Sequence, residues 1–182
     1  MSENQQVALS KAIAALDVDA VKALLSAGAN PNFLDDEQGP PLTQICDQLF
    51  DWWEAVVNGY ETETPLSDAE KAALLTPYQQ IIDALIAANA NVHLWDAVEF
   101  FGPLWDAASA ACVPVVQQLL DAGVNPNTRD DDGMTILSSI SDLWFDVDFD
   151  LVEWGDALPE EAETLQLLRA RGAKTTGEWA ES

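Results

Sequence analysis

The residues of this chain that could take part in catalysis are few, and their spacing does not support it. His93 is the single histidine among 182 residues, and a lone imidazole without a positioned acid or nucleophile is more often structural than catalytic. Asp146, Asp148 and Asp150 alternate along the chain but lack the glycine and the terminal glutamate of a calcium loop. Neither a glycine-rich phosphate loop nor a nucleophile elbow is present. We therefore predict that the protein is not an enzyme and holds no cofactor and no metal ion.

The cysteines and the first residues of the chain indicate the cellular compartment in which the protein works. Cys46 and Cys112 each lie within a helical pattern, at a spacing that suits neither a metal site nor a disulfide framework. Residues 1–8 are polar and lack the basic and apolar regions of a secretory signal. No apolar run approaches the roughly 18 residues that a membrane span needs. We therefore expect a cytoplasmic protein.

Charge is the main compositional clue to the partner. Thirty-two acidic residues stand against seven basic ones, which gives a formal net charge of −25. Direct binding of DNA, of RNA or of an anionic membrane surface is excluded, because each requires lysine and arginine to neutralise phosphate. The charge favours a basic protein as the partner. The alternative is that the acidity serves solubility, as in the acidic proteome of a salt-adapted organism.

Helices with a leucine stripe end in the same way at four places, in segments 24–32, 85–93, 119–127 and 167–174. Each stripe is followed by a residue that suits the left-handed backbone conformation at the end of a helix. Glycine is the usual residue there, and asparagine is its common substitute. The four predicted helix stops are Gly28, Asn89, Gly123 and Gly172.

A second signature lies upstream of each stop, at 8–13, 40–46, 102–108 and 133–140. Leu9 precedes its stop by 19 positions, and so does Leu104. With these two signatures the chain resembles the ankyrin-repeat family, whose pattern is T-P-L-H-x-A-A, two helices, and then L-L-x-x-G-A. The histidine of that pattern is missing from all four signatures, where its position is held by Ser10, Thr43, Trp105 and Ser138. The usual hydrogen-bond network at the helix start is therefore expected to be absent or rebuilt.

The resemblance implies an all-α fold, an ankyrin-repeat solenoid of four helix-turn-helix repeats that forms a single domain over residues 1–182. The repeats run over about 2–34, 35–94, 95–128 and 129–176. The second and fourth exceed the spacing of 19 by 28 and by 16 residues, which places insertions at about 47–80 and 142–163. The first helix of an ankyrin pair lines the concave face, so both insertions are expected to lengthen that inner helix.

Local signals predict where the inserted segments form helices. Ser67 begins a segment with a cap and an acidic first turn, which indicates a helix start. Pro77 is expected to open the second helix of its repeat, and Pro159 the last helix of the chain. Residues 145–151 alternate apolar side chains with aspartate, which indicates an extended segment.

Two surfaces are candidates for binding a partner. One is the acidic strip from 130 to 168, which has twelve acidic residues and no lysine or arginine. Aromatic side chains in this strip would bury surface against a partner, while the negative charge would attract that partner. The other comprises the loop tips and the groove lined by the inner helices. The candidate partner-binding residues are Trp95, Asp96, Trp105, Asp106, Asp131, Asp132, Trp144, Asp146, Asp148, Phe149, Asp150 and Trp154.

Each aromatic residue has an alternative role in packing, because a long insertion needs a core of its own. Packing is the favoured interpretation for Trp52, Trp53 and Trp144. Binding is favoured for Trp95, since it lies at a projecting loop tip. The choice stays open for Trp105, Phe149 and Trp154.

Three functions fit these features, and the first is favoured. Small acidic bacterial ankyrin proteins that this chain resembles act as immunity proteins, which implies that it binds and occludes a basic toxin, a nuclease being a suitable case. The second function is a scaffold or adaptor that recruits a peptide or a host factor. The third is mimicry of DNA by ordered carboxylates, aimed at a DNA-binding protein. A monomer is the default expectation for all three.

Overall fold

The computed structural model describes residues 3–34, 39–57, 66–93, 102–129, 132–145 and 158–180. Within these ranges the chain forms nine helices and no β-strand: α1 (Glu3–Ala14), α2 (Val18–Ser26), α3 (Pro41–Val57), α4 (Asp68–Ala87), α5 (Pro103–Ser109), α6 (Val113–Asp121), α7 (Ile136–Phe145), α8 (Pro159–Ala170) and α9 (Thr176–Ala180). None of the helices described is both long enough and apolar enough to cross a lipid bilayer. The chain divides into two compact units, Met1–Pro103 and Leu104–Ser182. The predicted single domain and the repeat boundaries stay predictions.

The N-terminal unit packs two helix pairs in two layers. α1 contacts α2 and α3, and α4 contacts the same two helices, so α1 and α3 lie side by side with α2 and α4 behind them. α2 begins where the Asp17 side chain accepts a hydrogen bond from the Ala20 amide at 3.0 Å, which satisfies an amide left free at a helix start. The large side chains fully buried between the layers are Leu9, Ile13, Leu42, Ile45, Leu49, Ile81, Ile82 and Leu85.

The first predicted insertion is built into the helices α3 and α4. α3 has 17 residues where α5 has 7, which confirms the predicted lengthening of the inner helix. The predicted start of α4 is also confirmed, because Ser67 caps it and the Glu70 carboxylate accepts from the Ser67 amide at 2.9 Å. Trp53 is only 4% exposed, and Trp52 stacks on the buried Tyr78 with ring centroids 5.6 Å apart. The predicted packing role of Trp52 and Trp53 is therefore confirmed.

The prediction that Pro77 opens a helix is wrong. Pro77 lies inside α4, which continues through it. A proline in a helix interior removes one main-chain hydrogen bond and crowds the preceding turn. Here the Thr76 hydroxyl donates to the Ala72 carbonyl at 2.8 Å, and the buried Tyr78 side chain packs the same turn against α3. Tertiary packing therefore outweighs the local cost of the proline.

The C-terminal unit contains the helices α5 to α9. α6 and α7 both contact α8, and the large side chains fully buried in this unit include Leu104, Leu119, Leu137 and Ile140. α8 begins at Pro159 as predicted, with the Glu161 carboxylate accepting from the Leu158 amide at 2.8 Å. It is not the last helix, however, because α9 follows it.

All four predicted helix stops are confirmed by their backbone conformation. The φ angles are +87° at Gly28, +66° at Asn89, +91° at Gly123 and +87° at Gly172. Two further non-glycine residues of the described chain have positive φ and gave no signal in the sequence, Leu16 at +52° and Ala111 at +51°. They lie in the turns inside the pairs α1–α2 and α5–α6, where a residue with a Cβ adopts this conformation at a cost of about 1–2 kcal/mol.

An asparagine side chain joins neighbouring helix pairs in each unit. Asn32 donates through Nδ2 to the Asn89 carbonyl at 3.0 Å, and its Oδ1 accepts from the Asn91 amide at 2.6 Å. Asn127 makes the same two bonds, to the Gly172 carbonyl at 2.9 Å and to the amide two residues later at 2.8 Å. We refer to Asn32 and Asn127 as the asparagine clamps. Their repetition at equivalent positions accompanies an all-α, ankyrin-type repeat fold, while the exact number of repeats stays a prediction.

Both cysteines are buried in the helical core as thiols that are not joined in a disulfide. Burial raises the pKa of Cys112 to about 12, because the thiolate would lose its hydration there. The reactive form of this thiol is therefore scarce at neutral pH while the chain is folded.

Candidate protein-binding surface

Two candidate residues lie next to each other on α5. Trp105 is half-buried, and its Nε1 donates to the Ser139 hydroxyl of α7 at 3.2 Å. The Trp105 side chain therefore links the first helices of two neighbouring pairs, in the place where the ankyrin pattern has histidine. Asp106 is only 6% exposed, so a partner could reach little of its carboxylate. The binding roles of Trp105 and Asp106 stay predictions.

A third candidate, Asp132, is exposed on the turn between the α6 pair and α7. A single antiparallel bridge between Arg129 and Thr135 closes this turn at its base. Thr135 is fully buried, and its amide is held by the Thr176 hydroxyl at 3.1 Å. The turn is thus anchored at its base while Asp132 faces solvent, which is the placement that a contact with a partner requires.

The remaining candidates lie outside the described residues: Trp95, Asp96, Asp131, Asp146, Asp148, Phe149, Asp150 and Trp154. Trp144 lies on α7, and its side chain is also outside the described part. The predicted extended segment is likewise outside, apart from Phe145, with which α7 ends. Among the side chains that are described, no group of three or more His, Cys, Asp or Glu is placed to hold a metal ion. The roles proposed for all of these residues stay predictions.

The four basic residues of the C-terminal unit all contact groups of that same unit. Arg129 and Lys174 lie over the Trp179 ring, 5.4 and 5.5 Å from its centroid, in cation–π geometry. Arg169 forms a two-pronged ion pair with Glu178 of α9. Arg171, the fourth, pairs with Asp121 at the end of α6 at 2.8 Å. The basic side chains of this unit therefore hold α9 and the last helix stop in place.

No sequence prediction included α9, although the sequence carries a signal for it. The Thr175 amide donates to the Glu178 carboxylate at 2.9 Å, and the Glu178 amide donates to the Thr175 hydroxyl at 3.3 Å. This is a capping box, whose pattern T-x-x-E can be read from the chain. The pattern lies directly after the fourth helix stop, where the repeat signature ends.

The ion pair of Glu178 gives a pH-dependent prediction. The Arg169 guanidinium, which bonds to both carboxylate oxygens, lowers the pKa of Glu178 to about 2. An ordinary glutamate has a pKa of about 4.3, so this contact stabilises the folded chain fully above that pH, and the stabilisation is lost as the pH falls towards 2. We expect the side-chain carboxyl ¹³C resonance of Glu178 to titrate near pH 2 in the wild type and near the ordinary value in Arg169→Gln. A midpoint near 4 in both proteins would contradict the assignment.

The helix pair α5–α6 lies in the part of the chain whose sequence matches a known protein family. α5 and α6 are joined by a turn with positive φ at Ala111 and end at the left-handed Gly123. Residues 101–131 match the family model of the ankyrin repeat. No curated protein matches the chain. Ankyrin repeats are protein–protein interaction modules and are typically not enzymes, so binding of another protein is the general function that this repeat supports.

Proposed function

We propose that this ankyrin-type protein binds a basic protein and occludes its working surface, as a bacterial immunity protein occludes a toxin in the cytoplasm. The observation that carries the proposal is its charge. The formal net charge is −25, and in the C-terminal unit all four basic residues contact their own unit. Charge of one sign on this scale opposes folding through self-repulsion, which a basic partner would relieve.

Electrostatics also supports the kind of target. A protein that works on nucleic acid presents a basic cleft to bind phosphate. An acidic repeat surface attracts such a cleft from a distance, which speeds association, and competes there with nucleic acid. A nuclease toxin is therefore the target class that this surface fits best.

The test begins with the tagged full chain, which captures partners from cells of its own source for identification by mass spectrometry. We expect one basic partner that is toxic when expressed alone and harmless when expressed together with this chain. The dissociation constant of the purified pair is expected to rise about tenfold or more between about 50 and about 300 mM NaCl, because added salt screens the attraction.

Other outcomes would overturn the proposal in recognisable ways. A dissociation constant that does not change with salt would refute the electrostatic basis of binding. Several unrelated partners sharing one short motif would indicate an adaptor, and the acidity would then serve solubility. A DNA-binding partner that DNA displaces without any toxicity would indicate a DNA mimic.

A further inference from the structure

The turn that carries Asp132 is held at both ends by the short helix α9. The base of this turn is the bridge between Arg129 and Thr135. The Arg129 guanidinium carbon lies 5.4 Å from the centroid of the Trp179 ring, and the Thr135 amide donates to the Thr176 hydroxyl at 3.1 Å. Each of the two residues that form the base therefore contacts a residue of α9.

The same helix is fastened to the end of α8. Thr176 and Trp179 are three positions apart, so they share one face of α9 and approach the turn together. The Glu178 carboxylate of α9 pairs with the Arg169 guanidinium of α8, and the Lys174 ammonium lies 5.5 Å from the centroid of the Trp179 ring. α9 thus connects the base of the turn to the last helix of the repeat pattern.

The position of α9 depends on polar and charged contacts. The helix has five residues, and none of them is buried. A helix of this length is not stable by itself, so the ion pair, the cation–π contacts and the hydrogen bonds must hold it in place. A segment that buries no residue opens at a lower free energy than the whole fold does. α9 can therefore be released while the helical core stays folded.

The turn itself supplies few restraints of its own. Within the described residues a single bridge closes it, and an isolated pairing of this kind is marginal in water. Asp132 is exposed, and a Cβ built on the next residue, Gly133, would have no neighbouring atom within 4 Å. Glycine without close neighbours has wide conformational freedom. The order of the turn must therefore come largely from what contacts its base.

We infer that α9 is a strap that fixes the turn between Arg129 and Thr135, and that release of α9 loosens the turn. Thr176 and Trp179 are the positioning residues, since each contacts one end of the turn. A strapped turn presents the Asp132 carboxylate in one position, which lowers the entropy cost of binding a partner. That benefit rests on the proposed function, whereas the strap itself can be tested on the free chain.

Hydrogen exchange of single amides in Arg169→Gln tests the strap, because this variant loosens α9 and leaves every residue of the turn in place. The Trp179 amide, which donates to the Thr175 carbonyl at 3.1 Å, reports on α9, and the Thr135 amide reports on the turn. Both are expected to exchange at least about threefold faster than in the wild type, because a charge-assisted contact is lost. The Leu120 amide in the core helix α6 is the reference and is expected to keep its rate.

Arg171→Gln is the matched control. It removes the same charge two positions away, from a side chain that pairs with Asp121 of α6 at 2.8 Å. The exchange rate of the Thr135 amide is expected to stay at the wild-type value in this variant. Equal acceleration of that amide in the two variants would overturn the inference. So would a faster Trp179 amide together with an unchanged Thr135 amide, because the turn would then not follow α9.

Salt gives a second test that needs no substitution. Raising NaCl from about 50 to about 500 mM screens the contact between Arg169 and Glu178, which loosens the strap. The same salt screens the self-repulsion of a chain with a net charge of −25, which favours the folded core. The ratio of the Thr135 exchange rate to the Leu120 exchange rate is therefore expected to rise at least about twofold. An unchanged or falling ratio would overturn the inference.

The strap and the proposed function can fail separately. If the exchange rates change as expected but the chain captures no basic partner, the proposed function is wrong and the strap stands. If a basic partner binds with the expected salt dependence but the Thr135 amide does not respond to release of α9, the strap is wrong and the proposed function stands.

Discussion

Trp53→Ala is expected to lower the free energy of unfolding by about 3–5 kcal/mol, the usual cost of truncating a fully buried aromatic side chain. Trp53 is 4% exposed and meets Trp52 edge to face, with ring centroids 5.9 Å apart. It lies in the lengthened part of α3, so its removal leaves a cavity where the predicted insertion packs on the rest of the unit.

Urea denaturation followed by far-UV circular dichroism measures this loss without relying on tryptophan fluorescence. Trp179→Ala is the matched control, since it makes the same truncation at a residue that is 36% exposed and is expected to cost about 1 kcal/mol or less. Equal losses in the two variants would contradict the packed core. The aromatic residues of α3 would then be candidates for a binding surface instead.

Asn127→Ala is the second change with a large expected effect, a loss of about 1–3 kcal/mol of stability. The side chain makes two hydrogen bonds to the main chain of the next helix pair, to the Gly172 carbonyl and from the Lys174 amide. Each contributes about 0.5–1.5 kcal/mol net. Asn32→Ala removes the equivalent clamp from the N-terminal unit and is expected to cost a similar amount.

Hydrogen exchange of single amides tests both clamps at once. In Asn127→Ala the Lys174 amide is expected to lose protection while the Asn91 amide keeps it, and in Asn32→Ala the reverse is expected. Asn4→Ala, at an exposed position on α1, is the control that leaves both amides protected. If both amides kept full protection in all three variants, the clamps would have no role in stability.

The sequence predicted those parts of the fold that depend on backbone conformation and local capping. A left-handed helix stop requires glycine or a residue such as Asn89, so the four stops could be located from residue type alone. The Ser67 cap could be recognised for the same reason, because capping needs a short polar side chain. The capping box at Thr175 is equally local, since its T-x-x-E pattern follows the fourth helix stop, beyond the end of the repeat signature.

Other parts of the fold depend on contacts that residue type does not encode. Leu16 and Ala111 have positive φ although neither residue favours it. Each ends its helix in a Schellman turn, in which the amide of the following residue donates to the carbonyl five positions back, that of Ala12 or of Ala107. Pro77 is a helix-start residue by local preference, yet the packing of Tyr78 keeps it inside α4. At Pro77 a tertiary interaction outweighs a local preference of about 3 kcal/mol.

The candidate site was predictable in its chemistry but not in its geometry. The excess of acid is visible in the composition, whereas the burial of Asp106 and the hydrogen bond of Trp105 to Ser139 depend on how α5 meets α7.

The asparagine clamps have a consequence for how this protein can vary. Both bonds of each clamp end on main-chain atoms, which every residue type except proline possesses: the Asn89 carbonyl and Asn91 amide in one unit, the Gly172 carbonyl and Lys174 amide in the other. Each asparagine clamp therefore depends on the main-chain path of the segment that it contacts and not on the side chains of that segment. Residues such as Lys174 can therefore be exchanged during evolution without loosening the joint, so that a lineage can alter what its surface recognises while its helix pairs stay in register.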